Sequence, residues 1–273
     1  MSTGTNHPRR GFVYQFKVED EIAYASLLTD GDRASAECNI VDVIYESFVI
    51  TADQDYLTAR LLAQSGLYRA FYWAAAQTVE KYLKAFLLLR GKPVKSGSHG
   101  LIALYTTACA LDATLMSVDI SPHDETGIPD YALKHVTVFS IKEFLRDIDK
   151  FGRPDNRYNS FGVDFNSGHL FALDHFVYAF RAKIEVPDIW QSLEKVDGGL
   201  LDVLKKNNPW FATGAHAIPE SEKLPATVRL AGAVTKLDFL VAQIQIPSYK
   251  LALRWLNKMM KLPVELQRMV DGM

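Results

Sequence analysis

The chain has 273 residues, 48% of them apolar and 23% charged, and a formal net charge of −2. That length supports one large domain or two small ones around a real core, and the balance is ordinary for a globular protein. It leaves no global basic field, so any contact with RNA needs a local patch.

Residues 1–10 read as a loose polar tail. Phe12, Tyr14 and Phe16 alternate as in a short strand, Glu21 to Leu28 suits a helix, and Ile40 to Ile50 fits strand or helix equally. Thr51-Ala-Asp-Gln54 resembles a capping box and predicts a helix from about Ala52 to Gln64, stopped at Ser65-Gly66. A second helix spans Tyr68 to Arg90, free of Gly and Pro; Ser65 is available to cap its start, and Gly91 and Pro93 stop it. After the loop GKPVKSGS come helices over about His99 to Ala113 and Asp130 to Asp149, separated by a loop at Ser121 to Pro129. The irregular run FGRPDNRYNSFGVDFNSG then leads to a helix from about His169 to Ile184, closed by Pro187. Further helices are expected over about Asp188 to Asn207, Pro225 to Gln243 and Ser248 to Lys261, with a short one after Pro263. Short connections between helices predict an all-α, antiparallel bundle.

The helix from Tyr68 to Arg90 carries the most information. At 100° per residue, Trp73, Gln77, Glu80, Lys81 and Lys84 share one arc of about 100°, while Phe71, Ala74, Ala75, Val79, Leu83, Phe86 and Leu87 cover much of the rest. On spacing alone the polar stripe suits a solvated face, with Glu80–Lys84 an i,i+4 pair worth about 0.3–0.5 kcal/mol.

The order of residues adds to this. Gly66, Tyr68, Ala70, Gln77, Glu80-Lys81, Lys84-Ala85, then His99 followed by Leu101, together resemble the HEPN family (higher eukaryotes and prokaryotes nucleotide-binding domain). The resemblance is good over about 50 residues and extends more thinly to about residue 185. It implies a HEPN-like bundle over 51–186, an N-terminal extension over 1–50, and a C-terminal helical subdomain or arm over 187–273. It further implies a nucleotide or RNA ligand, or a protein partner such as a nucleotidyltransferase, and a homodimer.

Catalytic members of that family are metal-independent ribonucleases with an Arg, four to six residues, then a His. The His handles the ribose 2′-hydroxyl proton and the Arg stabilises charge on the phosphate. No Arg here is followed by His at that spacing: eight residues separate Arg90 from His99, eleven separate Arg157 from His169, and His175 precedes Arg181. A noncatalytic module is therefore expected. The alternatives are a toxin–antitoxin or antiviral-defence ribonuclease with a rearranged site, using Arg153 or Arg157 with His169 or His175, and a structural adaptor in a larger assembly. Ligand-binding candidates are Lys81, Lys84, His99, Arg153, Arg157 and Tyr158, which form a basic pocket if the second helix, the third and the 151–168 loop converge. Arg157-Tyr158 suits phosphate contact and base stacking, and equally suits holding the loop through Asp155 or Asp164. His99 suits an anion at a helix N-terminus, or simply caps that helix.

No phosphate-binding Gly-rich loop, dinucleotide fingerprint, HExxH or GxSxG is present. No cofactor is expected. His123-Asp124-Glu125 is a cluster of metal-ligand types without an obvious partner, so no metal is expected either. Cys38 and Cys109 stand in no ligand spacing and read as plain buried or half-buried thiols. The polar N-terminus MSTGTNHPRR lacks a secretory core, and no apolar run reaches the ~18–20 residues that cross a bilayer, so a cytoplasmic protein without a membrane contact is expected.

Overall fold

The structure is a computed structural model that describes residues 16–95, 100–117, 119–120, 139–153, 167–184, 203, 208 and 236–272. Among the described residues the architecture is all-α, with one short antiparallel strand pair.

Helix α1 (Glu19–Ala25) leads to α2 (Asp30–Ile44), capped by Thr29, whose hydroxyl oxygen accepts from the Asp32 N–H at 3.1 Å. A π-turn (Tyr45–Val49) follows and runs directly into α3 (Ile50–Gln64). The ambiguous stretch from Ile40 to Ile50 is thus helical, and the expected helix near Ala52 begins at Ile50 as its continuation rather than at a cap. Thr51 caps nothing: its hydroxyl donates back to the carbonyls of Ser47 (2.8 Å) and Phe48 (3.2 Å), as it does inside a continuous helix. The π-turn adds one residue, which rotates everything downstream by about 100°. That phase shift lets the apolar stripe of α2 face the C-terminal helices while the stripe of α3 faces α4 (Tyr68–Leu89).

Helix α4 is the axis of the bundle, in contact with α3, the π-turn, α5 (Leu101–Leu111), α6 (Ile141–Phe151) and α7 (Ser167–Lys183). From Phe71 to Leu89 every residue of α4 is buried except the five of the polar stripe. Each buried Phe or Leu contributes about 1.5–3 kcal/mol, so this surface dominates the core. Ser65 does not cap α4; Leu67 holds the N-cap position without a side-chain bond, after a left-handed Gly66 (φ 72°).

A short 3₁₀ turn (Ala113–Ser117) precedes β1 (Asp119–Ile120), which pairs antiparallel with β2 (Phe139–Ser140). The expected helix from Asp130 to Asp149 therefore begins only at Ile141; residues 121–138 lie outside the described set. The reason is local. Ser140 and Glu143 form a capping box, with the Ser140 hydroxyl oxygen accepting from the Glu143 N–H (3.2 Å) and the Ser140 N–H donating to the Glu143 carboxylate (3.0 Å).

At the far end of α6, Gly152 lies against α4 so closely that a Cβ would stand 2.6 Å from both the Ala76 Cβ and the Tyr72 carbonyl oxygen. Toward the C-terminus, α8 (Lys236–Ala242), α9 (Pro247–Met259) and α10 (Val264–Asp271) are described, and α9 packs on α2 and α1. The buried Glu21 carboxylate of α1 meets Arg254 (3.3 Å) and Lys258 (2.7 Å) of α9. Of the described helices, none is long and apolar enough to cross a membrane.

Candidate functional site

The polar stripe of α4 is neither buried nor freely solvated. Trp73, Gln77, Glu80, Lys81 and Lys84 are all half-buried. The Lys81 ammonium donates to Asp55 of α3 at 2.5 Å, and Lys84 donates to Glu80 at 2.5 Å. With Glu80 and Lys84 side chains only 14% and 16% exposed, this i,i+4 pair is better shielded than a surface pair. Burial pushes the Asp55 carboxyl up, with Lys81 opposing.

Among the rearranged-site residues, His169 is the most constrained. It stands in the first turn of α7 and is nearly buried. Its Nδ1 lies 2.7 Å from the Tyr72 hydroxyl of α4, and its Nε2 lies 3.2 Å from Asp147 of α6. With Nε2–H donating to the carboxylate, Nδ1 accepts from the phenol, so the chain of donation runs Tyr72 to His169 to Asp147. Burial holds the imidazole below its ordinary value, and Asp147 opposes that. Tyr72 is completely buried between Phe71, Phe151 and the His169 ring. The arrangement ties α4, α6 and α7 together at the two ends of the connection between α6 and α7.

His175 is also buried, within α7. Arg153 is exposed and pairs with Asp149 at 3.2 Å. Each of Lys81, Lys84, Arg153 and His169 thus has a different carboxylate partner. His99, Arg157 and Tyr158 lie outside the described residues, as does His123-Asp124-Glu125. Among the described residues no cluster of His, Cys, Asp or Glu is arranged to hold a metal. Cys109 is buried, whereas Cys38 is exposed on α2 rather than half-buried.

Two buried ion pairs between α3 and α7 were not among the sequence candidates. Asp53 pairs with Arg181 and Arg60 with Asp174, and all four side chains are at most 1% exposed. Each helix contributes an Asp and an Arg seven residues apart, about 10.5 Å along the axis. The early residue of α3 meets the late residue of α7 and the reverse, which fixes the two helices as antiparallel and in one register.

Tyrosines complete both pairs. The Tyr82 hydroxyl donates to Asp53 and accepts from Arg181 (3.3 Å), while the Tyr56 hydroxyl donates to Asp174 at 2.6 Å. Arg60 Nε donates to the Val203 carbonyl (3.0 Å), and Asn208 Nδ2 donates to the Tyr56 hydroxyl (2.7 Å). Burial raises both phenols well above their ordinary value, with Asp174 acting in the same direction on Tyr56 and Asp53 on Tyr82. Burial also pushes Asp174 up, opposed by Arg60. For Arg181, burial would lower the guanidinium, but Asp53 and Tyr82 outweigh it and hold it charged. The mirrored i,i+7 order, Asp-then-Arg on both helices, was the available signal in the sequence.

Residues 45–121 match the family model of the HEPN domain. The match runs from the π-turn through α5 to β1, and the residues that carry the resemblance, Gly66 to Leu101, lie wholly inside it. No curated protein and no solved structure is significantly similar to the chain.

Proposed function

We propose that this chain is a noncatalytic HEPN module that binds RNA or a nucleotide. The histidines are the observation that supports this reading. A metal-independent ribonuclease needs an imidazole within reach of a 2′-hydroxyl. Here His169 has both ring nitrogens engaged inside the bundle, and His175 is buried in α7. Arg181, six residues after His175, is committed to Asp53 in the core. None of these groups is offered to a substrate, and no Arg precedes a His at the catalytic spacing.

The test is incubation of an end-labelled structured RNA with the purified full chain in EDTA, beside Arg157→Ala and His169→Ala variants. The expected result is intact RNA with every form. Cleavage by the parent chain that both substitutions abolish overturns the reading and makes the protein a ribonuclease with a displaced Arg–His pair.

A further inference from the structure

Between Glu80 and Asp112 the chain carries Lys81, Lys84, Arg90, Lys92 and Lys95 and not one acidic residue. Lys81 and Lys84 are matched within the bundle, as described. The other three cluster at the turn that ends α4, and the fold brings a fourth cation to them from a distant part of the chain.

That turn is tightly built. Gly91 is left-handed (φ 68°), and the Lys17 stem crosses it so closely that a Cβ on Gly91 would lie 2.9 Å from the Lys17 Cδ. The Arg90 guanidinium stacks 3.6 Å from the Phe86 ring centroid and donates to the Lys183 carbonyl at 3.3 Å. Beyond Gly91, the Val94 N–H donates to the Met259 carbonyl (2.9 Å) and the Lys95 ammonium to the Asn257 carbonyl (2.8 Å), fastening the turn to the C-terminal end of α9.

Three acids of the surrounding elements are committed to other cations. Asp112 pairs with Lys183, and Asp20 and Glu21 pair with Lys258. Lys17, Lys92 and Lys95 are exposed, and no carboxylate among the described residues lies in salt-bridge contact with them. Among the described residues, a chain of net charge −2 thus places at one end of its central helix three exposed lysines with no carboxylate in salt-bridge contact.

Exposed ammonium groups gain little from a single phosphate, because water and salt screen each contact. A polyanion is different: each phosphate it matches releases condensed counterions, and these contributions accumulate along the strand. Resting on the RNA reading above, we propose that Lys17, Lys92 and Lys95, at the C-terminal end of α4, form the surface on which the phosphate backbone of single-stranded RNA lies.

The experiment is fluorescence anisotropy of a labelled oligo(U) RNA titrated with the full chain in EDTA across a series of KCl concentrations. Three proteins are compared: the parent, Lys17→Gln with Lys92→Gln, and a control with the same charge change on α6, Lys142→Gln with Arg146→Gln. The slope of log K against log [KCl] should become shallower by about 1.4 for the turn variant, at about 0.7 per phosphate contact on single strands, and stay unchanged for the control. Binding by the turn variant with the parental slope overturns the inference and leaves the RNA reading standing. Absence of oligo(U) binding by the parent at low salt overturns the RNA reading and the inference with it.

Discussion

Arg181→Met is the most informative single perturbation of the bundle. The side chain it removes is fully buried and paired with an equally buried Asp53, so the substitution leaves a carboxylate in the core without its cation. Methionine keeps much of the stem volume, so the effect is electrostatic rather than a cavity. Breaking a buried pair from one side costs about 3–5 kcal/mol, a large share of the ~5–15 kcal/mol that holds a typical domain folded. The internal comparison is Lys81→Met, which breaks a pair whose side chains are each 28% exposed and should cost at most about 1 kcal/mol. Urea unfolding followed by tryptophan fluorescence reads both. At an m value of ~3 kcal/mol per M, Arg181→Met lowers the midpoint by about 1–1.7 M. Combining it with Asp53→Leu removes both charges and should recover at least half of that loss. A midpoint for Arg181→Met no lower than that of Lys81→Met would refute the claim that the α3–α7 pairs hold the bundle.

Gly152→Ala should cost about 1–3 kcal/mol in the same assay, because the new methyl meets α4 backbone that is unable to retreat. His169 carries a pH dependence whose sign follows from its lowered value. The unfolded chain binds the proton first, so the stabilisation is complete above pH ~6.5 and is lost as pH falls from there toward the folded value. Urea midpoints at pH 7.5 and 5.5 should therefore converge for parent and His169→Gln as pH falls; a constant gap refutes it. Asn208→Ala and Tyr56→Phe should each cost about 1–2 kcal/mol, and their combination less than the sum, since they share one hydrogen bond at 2.7 Å.

Much of α4 was legible because a 22-residue helix with one polar arc and two stop residues has few alternative readings. The continuity of α2 with α3 was not. A π-turn has no residue signature of its own, and the Thr51-x-x-Gln54 pattern imitates a start that the helix already running through it overrides. The start of α6 was legible in Ser140-x-x-Glu143 but was masked by apolar residues upstream at helical spacing. Stripe spacing revealed the polar face of α4, yet not that Asp55 of α3 would match Lys81, because which carboxylate arrives is decided by helix packing. The Asp53–Arg181 and Arg60–Asp174 pairs escaped for the same reason: a buried charge is recognised only with its partner, and these partners are 128 and 114 residues away.

Those separations bear on how the protein emerges during its own synthesis. Asp53 and Arg60 leave the ribosome long before Arg181 and Asp174 exist, and at ~5–20 residues per second the wait is roughly 6–25 s. For the last part of that interval, after residue 121 has been made, all the residues matched to the HEPN family model are present while the counter-charges of α3 are not. The α3–α4 pair is thus born as an open half-structure whose two inner charges stay in water. Final closure of the bundle waits for α7.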